Sequence, residues 1–165
     1  MLKYVDTAVT FAEVPDEISL CINISNCPCH CRECHSSYLA EDIGKPLQDD
    51  LDMLIESNSG ISCVCFMGGD QDPWEVFSLV RYIKLYYPGI KTAWYSGRTE
   101  LPKKLPIEEY DYIKLGPYIP ELGPLTSKIT NQRLYWICNM TSPIEKENGT
   151  PPRYEMIDIT YKFWE

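Results

Sequence analysis

The feature that most constrains this chain is a nine-residue stretch, Cys27-Pro28-Cys29-His30-Cys31-Arg32-Glu33-Cys34-His35. It holds four of the eight cysteines and both histidines. A β-rich run, Ile18–Ser25, feeds straight into it. The chain must therefore leave a strand and turn at once through a dense set of potential ligands. Pro28, Cys29 and His30 keep that loop turning. Any fold for this sequence has to bring a strand end to this loop.

At 165 residues the chain is long enough for one domain that buries roughly two-thirds of its unfolded surface. A 44% apolar and 24% charged composition is that of an ordinary globular protein. The net charge of −9 argues against nucleic acid or an anionic membrane as partner, since both reward clustered Lys and Arg. Met1–Leu20 has no apolar core segment and carries Asp6, Glu13, Asp16 and Glu17, unlike a signal peptide. No apolar run approaches the roughly 18 residues that span a bilayer. A cytoplasmic location is expected. Cytosolic thiols stay reduced, so the clustered cysteines read as metal ligands or redox groups rather than as disulfides.

Lys45-Pro46 opens a predicted helix, Leu47–Asn58, with Leu47, Leu51, Leu54 and Ile55 on one stripe. Ile61–Met67 is a nearly continuous apolar strand, followed immediately by Gly68-Gly69-Asp70. Asp72 as N-cap and Pro73 at the first position start a second helix. Its predicted buried stripe is Trp74, Phe77, Val80, Ile83 and Tyr87. Further strands are predicted at Lys91–Tyr95, Tyr110–Leu115, Arg133–Asn139 and Tyr154–Tyr161. Strands alternating with helices predict βαβ units, and the shortage of helices predicts a partial barrel rather than a complete one. The expected fold is α/β: a partial (β/α) barrel of mostly parallel strands. It would be one domain, 1–165, with a C-terminal extension from about residue 140.

Cys27-x3-Cys31-x2-Cys34 suits a [4Fe–4S] cluster for a physical reason. Each thiolate takes one iron, leaving the fourth for a non-protein ligand such as an amino acid's amino and carboxylate groups. Cys29 is read as a spare thiol facing away, and His30 and His35 as lining residues. A structural zinc site is the competitor, pairing Cys31 and Cys34 with Cys63 and Cys65. Those last two lie in the most apolar strand and point to one face, where buried free cysteine is common. Paired glycines at Gly68 and Gly69 let backbone approach a ligand. The carbonyls there and the Asp70 carboxylate suit a cationic amino group.

Together, the three cysteines after one strand and Gly68-Gly69-Asp70 after the next resemble the radical S-adenosylmethionine superfamily. The nearer resemblance is to the activating proteins of anaerobic ribonucleoside-triphosphate reductases. It rests further on Phe66-Met67-Gly68-Gly69-Asp70, Trp94-Tyr95-Ser96-Gly97 and Asn131-Gln132-Arg133. The family's usual Pro-Gly between the second and third cysteines is replaced by Arg32-Glu33. An Asp usual before the later glycine is replaced by Leu115, and a Gly-Ser before Asn-Gln-Arg by Thr126–Thr130.

The resemblance implies a barrel of the radical S-adenosylmethionine type. It also implies a [4Fe–4S] cluster on Cys27, Cys31 and Cys34, and S-adenosylmethionine held by Gly68, Gly69, Asp70 and Ser96. The implied activity is reductive cleavage of S-adenosylmethionine to make a glycyl radical on a partner, anaerobic ribonucleotide reductase. A one-electron donor such as flavodoxin would supply the cluster. The alternatives are a radical enzyme acting on a small molecule, of the modified-base synthase type, and a non-catalytic zinc-binding interaction module.

Overall fold

The computed structural model describes the whole chain, Met1–Glu165. Eight strands form one sheet: Lys3–Thr10 (β1), Ser19–Ile24 (β2), Lys45–Pro46 (β3), Cys63–Met67 (β4), Lys91–Tyr95 (β5), Tyr112–Leu115 (β6), Arg133–Asn139 (β7) and Tyr154–Asp158 (β8). Three helices accompany them, Leu47–Glu56 (α1), Pro73–Tyr86 (α2) and the short Pro143–Glu147 (α3). The strand order is β3-β1-β2-β4-β5-β6-β7-β8.

The expected partial (β/α) barrel of mostly parallel strands does not form. The sheet is open and mixed, since β3 and β8 are its two edges. Three pairings are parallel, β2·β4, β4·β5 and β5·β6. Four are antiparallel: β1·β2, β1·β3, β6·β7 and β7·β8. The reason lies in the connections, because a parallel return needs a long crossover, usually a helix. Only the links from β2 to β4 and from β4 to β5 contain long helices. Phe11–Ile18 is too short for a crossover, and Gly116–Gln132, broken by Pro117, Pro120 and Pro124, forms no helix, so the chain turns back on itself.

Helix α1 buries Leu47, Leu51, Leu54 and Ile55, the predicted stripe, and Asp49 and Asp50 in its first turn favour the helix dipole. Helix α2 starts as expected, with the Glu75 amide donating to Asp72 Oδ1 at 3.0 Å and Pro73 in the first turn. Its buried stripe differs: Val76, Leu79, Val80 and Ile83 face the sheet, while Trp74 is 48% exposed and packs edge-on to Phe77 at the margin. Branched aliphatics one helical turn apart fit the flat contact with the sheet, and the bulkier rings are pushed to its rim.

Both long helices lie on one face of the sheet, with Ile22, Ile24, Val64, Phe66, Trp94 and Ile113 beneath them. Two successive right-handed crossovers running in one direction require this. The other face carries Cys21, Cys63, Cys65, Ala93, Tyr95 and Tyr112, covered by Val14, Leu125, Ile159 and Phe163 from loops and the C-terminal segment. Cys63 and Cys65 are thus packing residues, fully buried on one face. No helix is long and apolar enough to cross a membrane.

Candidate functional site

The carboxyl ends of the four parallel strands open into a cleft of about 430 Å³. Cys27, Cys31 and Cys34 form one wall; Gly68, Asp70 and Ser96 come from the strand ends. Residues more than sixty positions apart therefore meet at one place. Of the residues expected there, Gly69 and His30 do not line it. A Cβ on Gly69 would meet Val76 Cγ2 at 2.5 Å, so this glycine is the close contact between the loop and α2. Gly68 and Gly69 both adopt left-handed φ, +107° and +88°, which L side chains resist.

The cysteine loop is anchored at its base. The Cys27 amide donates to Leu39 O and the Asn26 amide to Glu41 O, both at 2.9 Å, tying it to the single turn Ser37–Ala40. Within it, His30 and Glu33 have left-handed φ of 45° and 56°, as does Asn26 before it, at 58°. Such conformations cost non-glycine residues about 1–2 kcal/mol each and concentrate at functional loops. Glu33 occupies the position where the resembling family carries glycine, and here it adopts the backbone shape natural to glycine. Across the mouth, Arg32 pairs with Glu121 and the His35 ring meets Tyr118 at 5.4 Å.

Cys29 does not face away. Its thiol points into the cleft, 3.6 Å from Asp70 Oδ2, on the wall that Cys27 also lines. Interaction with the neighbouring Cys29 thiol, more than the opposing effect of burial, lowers the Cys27 thiol to about 6, while Cys29 itself is driven up.

Asp70, 2% exposed, is already engaged. Ser96 Oγ donates to its Oδ1 at 2.6 Å, the Gly97 amide to its Oδ2 at 2.8 Å, and Arg98 lies 3.5 Å from Oδ1. Arg98 also donates to the Asp70 carbonyl at 2.7 Å. Ser96, fully buried, accepts from the Arg98 amide. Asp70 and Ser96 therefore join the β4 and β5 ends into one rigid rim. The Gly68 carbonyl accepts from Trp94 Nε1 at 2.8 Å and keeps one lone pair for a ligand.

Three polar groups in the cleft were absent from the expected site. Lys114, on β6, is 8% exposed and donates to Gly116 O at 2.7 Å and Ser96 O at 3.2 Å, with no carboxylate partner. Burial pushes its ammonium down to about 8, partly offset by Asp70, Cys31, Cys29 and Cys34. Glu13 faces it from the β1–β2 loop, its carboxyl raised by burial against the opposing pull of Lys114. Gln132, 7% exposed, also lines the cleft. A lysine inside the apolar run Tyr112-Ile113-Lys114-Leu115 was the legible signal. Nothing local in the sequence marks Glu13.

No three Cys, His, Asp or Glu side chains converge as ligands of a single ion. Cys63 and Cys65, the second pair that a closed four-ligand zinc site would use, do not line the cleft. Three thiols lining one cleft are the donor type that a group taking one thiolate per metal atom would use. The buried Lys114 charge, facing those thiols, complements an anionic thiolate-bound group. No family model, curated protein or solved structure matches the chain, so the site stands on its own geometry.

Proposed function

We propose that this cleft is the active site of a radical S-adenosylmethionine activase, with Cys27, Cys31 and Cys34 holding a [4Fe–4S] cluster. The observation that carries this reading is the meeting of those three thiols with Gly68, Asp70 and Ser96 in one cleft at the strand ends. When bound, the cluster would supply the electron that splits the sulfonium into methionine and a 5′-deoxyadenosyl radical, which takes a hydrogen atom from a partner's glycine.

The chain's own residues have separable roles in this scheme. The free lone pair of the Gly68 carbonyl would accept from the amino group of the cofactor. Asp70 and Ser96 act as positioning residues, because their hydrogen bonds hold the Ser96-Gly97-Arg98 turn at the rim. Lys114 is a fixed cation that favours carboxylate and thiolate charge nearby. Met67, Leu125 and Phe163 provide apolar wall that excludes water from a reactive intermediate. The proposed partner is a glycyl-radical enzyme, anaerobic ribonucleotide reductase, with a one-electron donor of the flavodoxin kind, in the cytoplasm.

Anaerobic reconstitution tests the reading. About four irons and four sulfides per chain are expected, with 5′-deoxyadenosine formed on adding dithionite and S-adenosylmethionine. Cys31→Ala should abolish iron uptake. Stoichiometric zinc with no deoxyadenosine would overturn the proposal.

A further inference from the structure

We propose that Cys27 and Cys29 form a redox-active dithiol that closes to a disulfide in the metal-free protein, taking Cys27 out of the ligand set. The last clause rests on the iron–sulfur reading; the dithiol itself does not.

Four thiols line the cleft, and all eight cysteines are free. Among those four, Cys29 is the one whose place is built from outside its own loop. A Cβ on Gly97 would lie 2.6 Å from Cys29 Sγ and 3.1 Å from Cys29 Cβ. Gly97 does not have a left-handed φ, so its backbone is open to any residue. Its missing side chain is what leaves room for Cys29. Asp70 Oδ2, 3.6 Å away, accepts the thiol from the same side. The left-handed His30 then reverses the chain directly after Cys29. The thiol is thereby held inward, on the cleft wall that Cys27 also lines.

Two residues apart, the Cα atoms can stand no more than about 7 Å from each other, and a turn over Pro28 and Cys29 brings them closer, into disulfide range. Both thiols are half-buried in an open cleft, within reach of a small oxidant. Cys21 and Cys65, which are also opposite each other in register, are sealed in the core and have no such access.

A low-molecular-weight disulfide serves as oxidant. The Cys27 thiolate attacks one of its sulfurs and releases the first small thiol. Cys29 then attacks the Cys27 sulfur of the mixed disulfide and releases the second. Two protein thiols are oxidised, one external disulfide is reduced to two thiols, and the two protein protons end on those thiols.

The test uses full-length metal-free protein equilibrated with oxidised and reduced glutathione, acid-quenched, alkylated and mapped by mass spectrometry. An intramolecular Cys27–Cys29 link is expected, with Cys31 and Cys34 alkylated. In Cys29→Ser, Cys27 should carry glutathione instead. A Cys31–Cys34 link, or glutathione on Cys27 in the unaltered protein, would overturn the dithiol. Iron uptake is then measured separately: the oxidised protein should take up about tenfold less iron than the reduced one, restored by a thiol reductant, because one ligand is lost. A Cys27–Cys29 link in a protein that binds no iron in either state would leave the dithiol standing and remove the cluster. Equal iron uptake in both states would refute the ligand-withdrawal clause.

Discussion

Glu33 and Lys114 each work against stability where the cleft is built. Glu33 holds a left-handed backbone without the freedom of glycine. Glu33→Gly should raise the stability of the metal-free protein by about 0.5–1 kcal/mol in urea unfolding, the relief of strain being partly cancelled by the greater freedom of the unfolded chain. Lys114 keeps a charge in the sheet at neutral pH. Its folded pKa of about 8 lies below the unfolded value near 10.4. The folded state thus carries the full penalty below pH 8, and the penalty fades as pH rises through the unfolded value. Lys114→Met should stabilise by about 2 kcal/mol at pH 7, the charge penalty less two lost hydrogen bonds to carbonyls. At pH 10.5 the gain should be largely gone. Paired denaturation curves at the two pH values decide it, and a gain unchanged by pH would mean that charge burial is not the cause.

At the scale of elements, the parallel strands are tied at both ends by carboxylates. Asp70 joins β4 to β5 at the cleft. At the opposite end Glu17, 5% exposed, accepts from Ser62 Oγ at 2.6 Å, Lys91 Nζ at 2.5 Å and the Tyr112 hydroxyl at 2.7 Å. It therefore clips the starts of β4, β5 and β6. Burial raises its pKa, but the combined hydrogen bonds from Lys91, Ser62 and Tyr112 outweigh burial and hold the carboxyl below the ordinary range. Such a group contributes stability above the unfolded carboxylate pKa, and loses it as pH falls through the lower folded value. Glu17→Gln should cost about 2 kcal/mol at pH 7. The difference from the parent protein should shrink below about pH 4. A difference that stays constant down to pH 3 would show that the charge is not what the network uses.

For the whole molecule, the cleft divides the chain into a firm part and a conditional one. Strands β4 and β5 have buried side chains on both faces, whereas the loops around 26–36 and 117–130 meet across the mouth through the exposed Arg32–Glu121 pair and the His35–Tyr118 contact. Exposed ion pairs contribute little on their own. A ligand that binds only the folded cleft stabilises by mass action. Removing metal from a reconstituted protein with a chelator should lower its melting temperature and speed amide exchange in those two loops. Protection in β4 and β5 should be the last to fall. Uniform acceleration across the sheet would contradict this division.

Much of this was legible from local patterns. The α1 stripe, the Asp72-Pro73 start of α2, and the strands Lys91–Tyr95 and Arg133–Asn139 follow from periodicity, capping and turn chemistry, which neighbouring residues determine by themselves. The cysteine triad and Gly68-Gly69-Asp70 were likewise visible as spacing at strand ends. Strand direction was not, because it depends on whether each connection can cross the sheet, and that is a property of whole segments. Nor was the inward turn of Cys29, which depends on the absence of a side chain at Gly97, nearly seventy residues away. The charge of Lys114 acquires its meaning only when β6 lies beside β5 and faces the cysteine loop. The sequence by itself determined the candidate side chains and their local frames. The tertiary structure decided which of them face one another, because contact between distant residues is settled by packing across the sheet and not by the chain on either side of them.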